Sequence, residues 1–344
     1  MMQDSISMFK EQLDTIFLHN ECFSLLPTIL KEIKGTNNNV DKILDNWTNE
    51  RIFNYRSNII SLYGCLEQFI ESSIKEYIKE LLEVCTTFTE LDSSIKNEYI
   101  EKWKSLHGKL HYNKYQDITS PYMIRSLYNS QIENKNEVIT ECFLQNGGNY
   151  KHDEIIKMFS NIGLTSIRNS LEHFEPLASF FMENGFDNYV KIDELVKYRN
   201  EIAHGANSDN LLNETIVLDY ADFLKKYALS ITAYLNDQIL DHLWNKLKAE
   251  NSYKPSNYYD KKSVVEFSER DLLLEEGMNI LVKRTKGFFP RYIFGQLPVF
   301  RVKNMNIPNS SVEDKHELYG DGDWKFSFPF NHKITEHCRF VFYL

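Results

Sequence analysis

The chain has 344 residues, is 42% hydrophobic and 26% charged, and carries a net charge of −10 at pH 7. That length suits two domains with a sizeable core, and the bulk acidity argues against nonspecific coating of DNA. No apolar run approaches the roughly 20 residues that span a bilayer, residues 1–10 have no apolar signal core, and Cys22, Cys65, Cys85, Cys142 and Cys338 form no Cys-x-x-Cys pair, so the expectation is a cytoplasmic protein with reduced thiols and neither a disulfide framework nor a zinc site.

Helical periodicity dominates to about Glu250. Residues 3–33 carry apolar residues at three-and-four spacing, interrupted at Pro27. Asn37-Asn38-Asn39 reads as a polar loop. A long helix is predicted from about Asp45 to Cys85, with Ile59, Leu62, Leu66, Phe69, Ile70, Ile74, Ile78 and Leu81 on its apolar face. Shorter helices are predicted over 95–106, 121–131 (with Pro121 in its first turn) and 135–145, and 107–119 reads as a polar, aromatic loop. After the turn Asn146-Gly147-Gly148-Asn149, helices fit 152–162, 165–182, 190–204 and 214–250.

The pattern changes near Tyr253. Strand-like runs follow at Val264–Phe267, Asn279–Lys283, Tyr292–Phe294, Val299–Val302, Trp324–Phe328 and Arg339–Tyr343, punctuated by the turn cluster Tyr319-Gly320-Asp321-Gly322-Asp323. The expected fold is mainly α, a helical bundle followed by a small β-rich domain. Its expected division is an N-terminal helical segment over 1–44, a helical domain over 45–252 and the β-rich domain over 253–344.

Charge follows that division. Residues 1–253 hold 25 Lys and Arg against 37 Asp and Glu, whereas residues 254–344 hold 14 against 12. Residues 277–312 contain Lys283, Arg284, Lys286, Arg291, Arg301 and Lys303 and no acid, interleaved with Phe288, Phe289, Tyr292, Phe294 and Phe300. Rings stack on bases and cations track phosphates, which makes Lys283, Arg284, Lys286 and Arg291 candidate substrate-binding residues. The same aromatics would equally serve as the core of a small β-domain with a solvated basic face.

The stretch best suited to chemistry is Lys197-Tyr198-Arg199-Asn200-Glu201-Ile202-Ala203-His204-Gly205. Arginine binds phosphate, histidine transfers protons near neutral pH, and Gly205 is a helix stop. Five positions turn an ideal helix through roughly 500°, so Arg199 and His204 point about 140° apart. They can share one phosphate only if the helix ends at Gly205 or a second copy packs alongside. A capping histidine at an exposed helix end is the plain alternative.

Other polar residues carry weaker patterns. His107 and His111 are four apart without a carboxylate at ligand spacing. His173 fits a helix surface, and His332 and His337 lack partners in sequence. Gly320-Asp321-Gly322-Asp323 fits a hairpin turn better than a calcium loop.

The segment Val190–Gly205 closely resembles the signature helix of the HEPN superfamily, which carries Arg, a polar residue that is often Asn, and then His. Arg199, Asn200 and His204 fall on those positions. Leu62-Tyr63-Gly64-Cys65-Leu66-Glu67-Gln68-Phe69 resembles the first core helix of the RiboL-PSP and MAE-like branches, with Tyr63 and Glu67 on one face. Asn146 to Leu164 is similar to those branches as well. The resemblance spans about 45–250 and implies a four-helix up-and-down core with extra helices. It implies a metal-independent endoribonuclease, without cofactor, that works as a homodimer with a composite site. Arg199 would clamp the phosphate, His204 would act as base or acid, Asn200 would position phosphate or ribose, and Glu67 would orient Arg199 or His204. Tyr63 and Tyr198 join the candidate substrate-binding residues. Such proteins serve as toxins or abortive-infection effectors in antiviral defence, with an antitoxin or regulatory protein as partner. The second reading is a non-catalytic helical interaction module, as some HEPN proteins are, in which the acidic helical surface docks a basic partner.

Overall fold

The computed structural model describes residues 2–145, 148–184, 189–205, 214–247, 252–255, 257–259, 264–268, 278–284, 289–296, 316–319, 323–327 and 337–343. Two compact units divide between Asn236 and Asp237.

The first unit is helical. Helices α1 (Asp4–Glu32), α2 (Asn38–Asp45) and α3 (Trp47–Val84) open the chain, followed by α4 (Ser93–His107) and α5 (Ser120–Gln131). Then come α6 (His152–Asn161), the single turn α7 (Ile167–Ser170), α8 (Leu177–Asn184), α9 (Val190–Ala203) and α10 (Glu214–Leu247), the last of which ends in the second unit. All eight apolar positions expected on the α3 face are buried. Helix α1 lies along α3, with Phe9 and Phe69 ring centres 4.9 Å apart, and α9 packs on α3 from another side. None of the described helices is long and apolar enough to cross a membrane.

Four local expectations are corrected. Pro27 lies inside α1 instead of interrupting it, and stacking of Phe23 on Trp47 at 4.9 Å braces the preceding turn against the lost backbone bond and the crowding of the ring. The Asn37–Asn39 loop is a helix start, because the Asn37 side chain accepts the Asn39 N–H at 2.8 Å and caps α2. Residues 135–145 form only a short 3₁₀ turn, Thr140–Leu144. There Asn134 takes a left-handed φ of 51°, and the Asn136 amide donates to the carbonyls of Leu82 and Cys85 at the end of α3. The expected 165–182 helix is broken at Phe174, where the backbone turns extended ahead of Pro176, whose ring disfavours a helical residue before it, and α8 restarts at Leu177.

The second unit holds two antiparallel sheets. Strands β1 (Asn257–Tyr259), β2 (Val264–Ser268), β5 (His316–Tyr319) and β6 (Asp323–Ser327) pair in the order β1-β2-β6-β5. Strands β3 (Asn279–Lys283), β4 (Tyr292–Gln296) and β7 (Arg339–Tyr343) pair as β4-β3-β7, with Leu281 opposite both Phe294 and Val341. Leu240 and Trp244 of α10 join Leu281, Tyr292 and Val341 in the core of this unit. That is why it begins at Asp237, ahead of the composition change near Tyr253. Strands β5 and β6, which flank the turn expected after Tyr319, pair antiparallel with Tyr319 opposite Asp323, and residues 320–322 lie outside the described residues. The expected strand Val299–Val302 and His332 lie outside the described residues.

Candidate functional site

Helix α9 buries Ile192, Leu195 and Val196, one apolar stripe at helical spacing, and its neighbouring positions carry the polar motif. Its first turn is tied to α6 by the Asp193 carboxylate, which accepts the His152 N–H at 3.0 Å. Its last turn closes when the His204 N–H donates to the Asn200 carbonyl at 3.0 Å and the Gly205 N–H to Ile202 at 3.1 Å. Gly205 has a φ of +70°, a backbone conformation that a residue with a Cβ rarely adopts. The helix therefore ends where the sequence expected, and His204 is the exposed residue at its C-cap.

Arg199 is half-buried and turns toward α3. Its guanidinium carbon lies 4.8 Å from the centre of the Tyr63 ring, and its Nη1 donates to Oδ1 of Asn200 at 3.0 Å. Asn200 is thus the link between the inward arginine and the outward histidine. Together with Lys151, Asp193, Glu194 and Lys197, Asn200 and His204 line an open groove of about 580 Å³. The His204 imidazole makes no hydrogen bond or ion pair among the described residues.

The α3 side of the site is a polar stripe at i, i+4 and i+8. Tyr63 is buried, and its hydroxyl accepts the Tyr150 N–H at 3.2 Å. The Tyr150 hydroxyl donates to Glu71 at 2.8 Å, and Lys114 pairs with the same carboxylate oxygen at 2.7 Å. Glu67 lies between, half-buried. Burial, and then the Glu71 charge, push its carboxyl above the usual range, with Lys114 and Arg199 pulling the other way. Glu67 and Arg199 feel one another electrostatically without forming an ion pair. Burial likewise raises the Tyr63 phenol. Glu71, Lys114 and Tyr150 were not singled out from the sequence. Only Glu71 had a signal there, as the next step in the Tyr63–Glu67 spacing.

Tyr198 meets Tyr220 of α10 edge to face, with centres 6.4 Å apart, and Tyr220 donates to Glu194 at 2.9 Å. The basic residues expected to bind substrate in the second unit have partners of their own there. Arg291 pairs through Nε with the buried Asp237 at 2.7 Å and approaches Asp241 at 3.7 Å. Lys283 lies 5.3 Å from the Tyr292 ring centre and 5.6 Å from Trp244. Arg284 is buried and donates to the carbonyls of Phe289 and Pro290. These three side chains thus make contacts within their own unit. Lys286 lies outside the described residues. Among the described residues no three His, Cys, Asp or Glu side chains are grouped to hold a metal ion.

An arginine held over a ring, bonded to an asparagine that shares a groove with an unengaged histidine, is suited to gripping a phosphate and moving a proton beside it. Comparison with curated proteins and with solved structures finds no match. The family model described as RiboL-PSP-HEPN matches residues 24–240, which include α3, α9 and every residue of the Arg199 site. The chain belongs to the RiboL-PSP-HEPN family.

Proposed function

We propose that the protein is a metal-independent endoribonuclease, acting as a homodimer whose two α9 helices share one cleavage site. The observation that carries this reading is the division of labour around Asn200. Arg199 is fixed from behind by Tyr63 and from the side by Asn200, while His204 stands exposed at the helix end.

RNA cleavage needs two proton transfers and a clamp on charge. One His204 imidazole takes the proton from the ribose 2′-hydroxyl, whose oxygen forms a bond to the adjacent phosphorus. The bond from phosphorus to the 5′-oxygen breaks, and the His204 of the second copy, protonated, gives that oxygen its proton. Arg199 binds the phosphoryl oxygens in bidentate fashion, and Asn200 holds phosphate or ribose. The products are a 2′,3′-cyclic phosphate and a 5′-hydroxyl. Glu67 sets the potential around Arg199, and Tyr198 supports the helix against α10. In the cell this activity fits a toxin or antiviral effector held in check by an antitoxin or regulatory protein.

Purified protein should cut RNA in EDTA and leave cyclic phosphate ends. His204→Ala should lose about 10²–10⁴-fold in rate with the helical fold retained. Equal rates for parent and variant would sink the mechanism. Complete absence of cleavage with tight capture of a protein partner would favour the non-catalytic interaction module.

A further inference from the structure

Residues 102–116 contain Lys102, Lys104, Lys109 and Lys114, two histidines, one tryptophan and two tyrosines, and no acid. They stand out in a region, 1–253, that is otherwise acidic. The segment is held in a defined shape. Leu106 and Tyr115 are buried and pin its two ends. Between them the chain advances in three-residue turns, with Lys109 N–H donating to Leu106, Tyr112 to Lys109 and Tyr115 to Tyr112. The side chains of His107, His111, Tyr112, Asn113 and Lys114 are exposed, Tyr112 by 54%, and Lys109 is partly so.

Those side chains form two aromatic steps. His107 stacks on Trp103 with ring centres 5.5 Å apart and planes 15° apart, and bonds to the Ser120 hydroxyl at 2.9 Å. His111 and Tyr112 lie 4.2 Å apart. The cations beside them are only partly neutralised. Lys102 lies 3.6 Å from Glu98, and Lys114 is taken by Glu71. Lys109 is bonded to the neutral Gln145 at 3.0 Å, and Lys104 is exposed with no partner among the described residues.

We infer that this segment is a single-stranded RNA track that delivers the strand to Arg199. Bases would stack on Tyr112 and the His107–Trp103 step, and Lys104 and Lys109 would meet phosphates. The inference deepens the ribonuclease reading and rests on it for the direction of travel. The segment is continuous with the site, because the Lys114–Glu71 contact joins its far end to the polar stripe of α3. Glu71 is two turns from Tyr63, on the order of 12 Å along the helix. The neighbouring acids Glu101 and Asp117 flank the segment at its ends.

The test is the affinity of the full chain for a fluorescent single-stranded 2′-O-methyl oligoribonucleotide, which cannot be cleaved, at low and physiological salt. Tyr112→Ala should weaken binding about tenfold, with Tyr112→Phe retaining it. Lys104→Glu combined with Lys109→Glu should weaken it by at least about tenfold and flatten its salt dependence. Melting curves of each variant report the fold separately. Parent-like affinity in both Tyr112→Ala and the charge reversal overturns the track, as does a parent chain that does not bind the oligonucleotide. Cleavage of unmodified RNA is followed in parallel. A parent that binds through this segment but never cuts defeats the ribonuclease reading and leaves the track standing. A parent that cuts, with the track variants unchanged in KM, does the reverse.

Discussion

The Arg199 guanidinium lies 4.8 Å over the Tyr63 ring, and that ring is itself fixed by the Tyr150 N–H donating to its hydroxyl at 3.2 Å. The ring holds the guanidinium on one side and Asn200 takes Nη1, which leaves Nε and Nη2 as donors for a ligand. Lysine would keep the charge and lose both the fork and the stack. Arg199→Lys is expected to lower kcat/KM for RNA cleavage about 10- to 100-fold, the worth of one charge-assisted hydrogen bond, with unchanged circular dichroism. Parent-like kinetics in this variant would mean that only a positive charge is needed there.

The Tyr63 hydroxyl has a separable role. Tyr63→Phe keeps the ring under Arg199 but leaves the Tyr150 N–H buried without its acceptor, at a cost of about 1–3 kcal/mol. Urea unfolding should show that loss, while KM for RNA stays within about twofold because one backbone bond, and not the stack, is removed. Tyr63→Leu should raise KM as well. A Phe variant as stable as the parent would show that the Tyr150 N–H finds another acceptor.

The Tyr63–Arg199 contact marks where sequence reasoning stops. The stripe that carries Tyr63 and Glu67 was legible because a helix repeats every 3.6 residues, and the end of α9 was legible because Gly205 alone suits a φ of +70°. Which stripe meets which helix was not legible. Lys114 and Tyr150 reach Glu71 from loops distant in sequence, and no local pattern encodes such contacts. The same holds in the second unit, where nothing in the run of bases announces that Asp237 and Asp241, on the preceding helix, pair with Arg291. Misplaced helix ends at 135–145 and Phe174 have a related cause: side-chain amides cap neighbouring elements, and a proline acts on the residues before it.

Glu67 offers a test by pH. Its folded carboxyl titrates above its ordinary value, chiefly through burial and secondly through Glu71. A group raised on folding favours the native state when protonated, so its ionised form detracts from stability as pH rises through the folded value. Glu67→Gln removes that penalty. The variant should therefore resist denaturant better than the parent at pH 7, and the gap should close near pH 4. A gap that is constant with pH would assign the effect to packing instead of charge.

A shared site makes a statistical prediction. If each cleavage needs a His204 from both copies, a mixed dimer of parent and His204→Ala is inactive. Refolding or exchanging the two at equal amounts should lower activity per parent chain by about half, because half of the parent chains then have a variant partner. Activity per parent chain that ignores the added variant would place all the chemistry within one copy.

His152 links acidity to the integrity of the site. Its ring is buried, stacked 3.9 Å from Tyr189, with Nδ1 hydrogen-bonded to the Tyr227 hydroxyl at 3.3 Å. Burial first, and the Arg168 charge second, lower its pKa to about 4, against the opposing pull of Asp153 and Asp193. The unfolded chain binds this proton near the ordinary histidine value, so the sign is fixed: stability present above about pH 6.5 is lost as pH falls toward 4. The size of that shift corresponds to about 3 kcal/mol. Because the His152 N–H is also the tie to Asp193 at the start of α9, loss of this packing in acid should loosen the helix that carries Arg199. Unfolding free energy measured across this window should fall more steeply for the parent than for His152→Phe, which keeps a ring against Tyr189 and cannot take up a proton. Identical slopes for the two proteins would show that His152 titrates alike in the folded and unfolded chain.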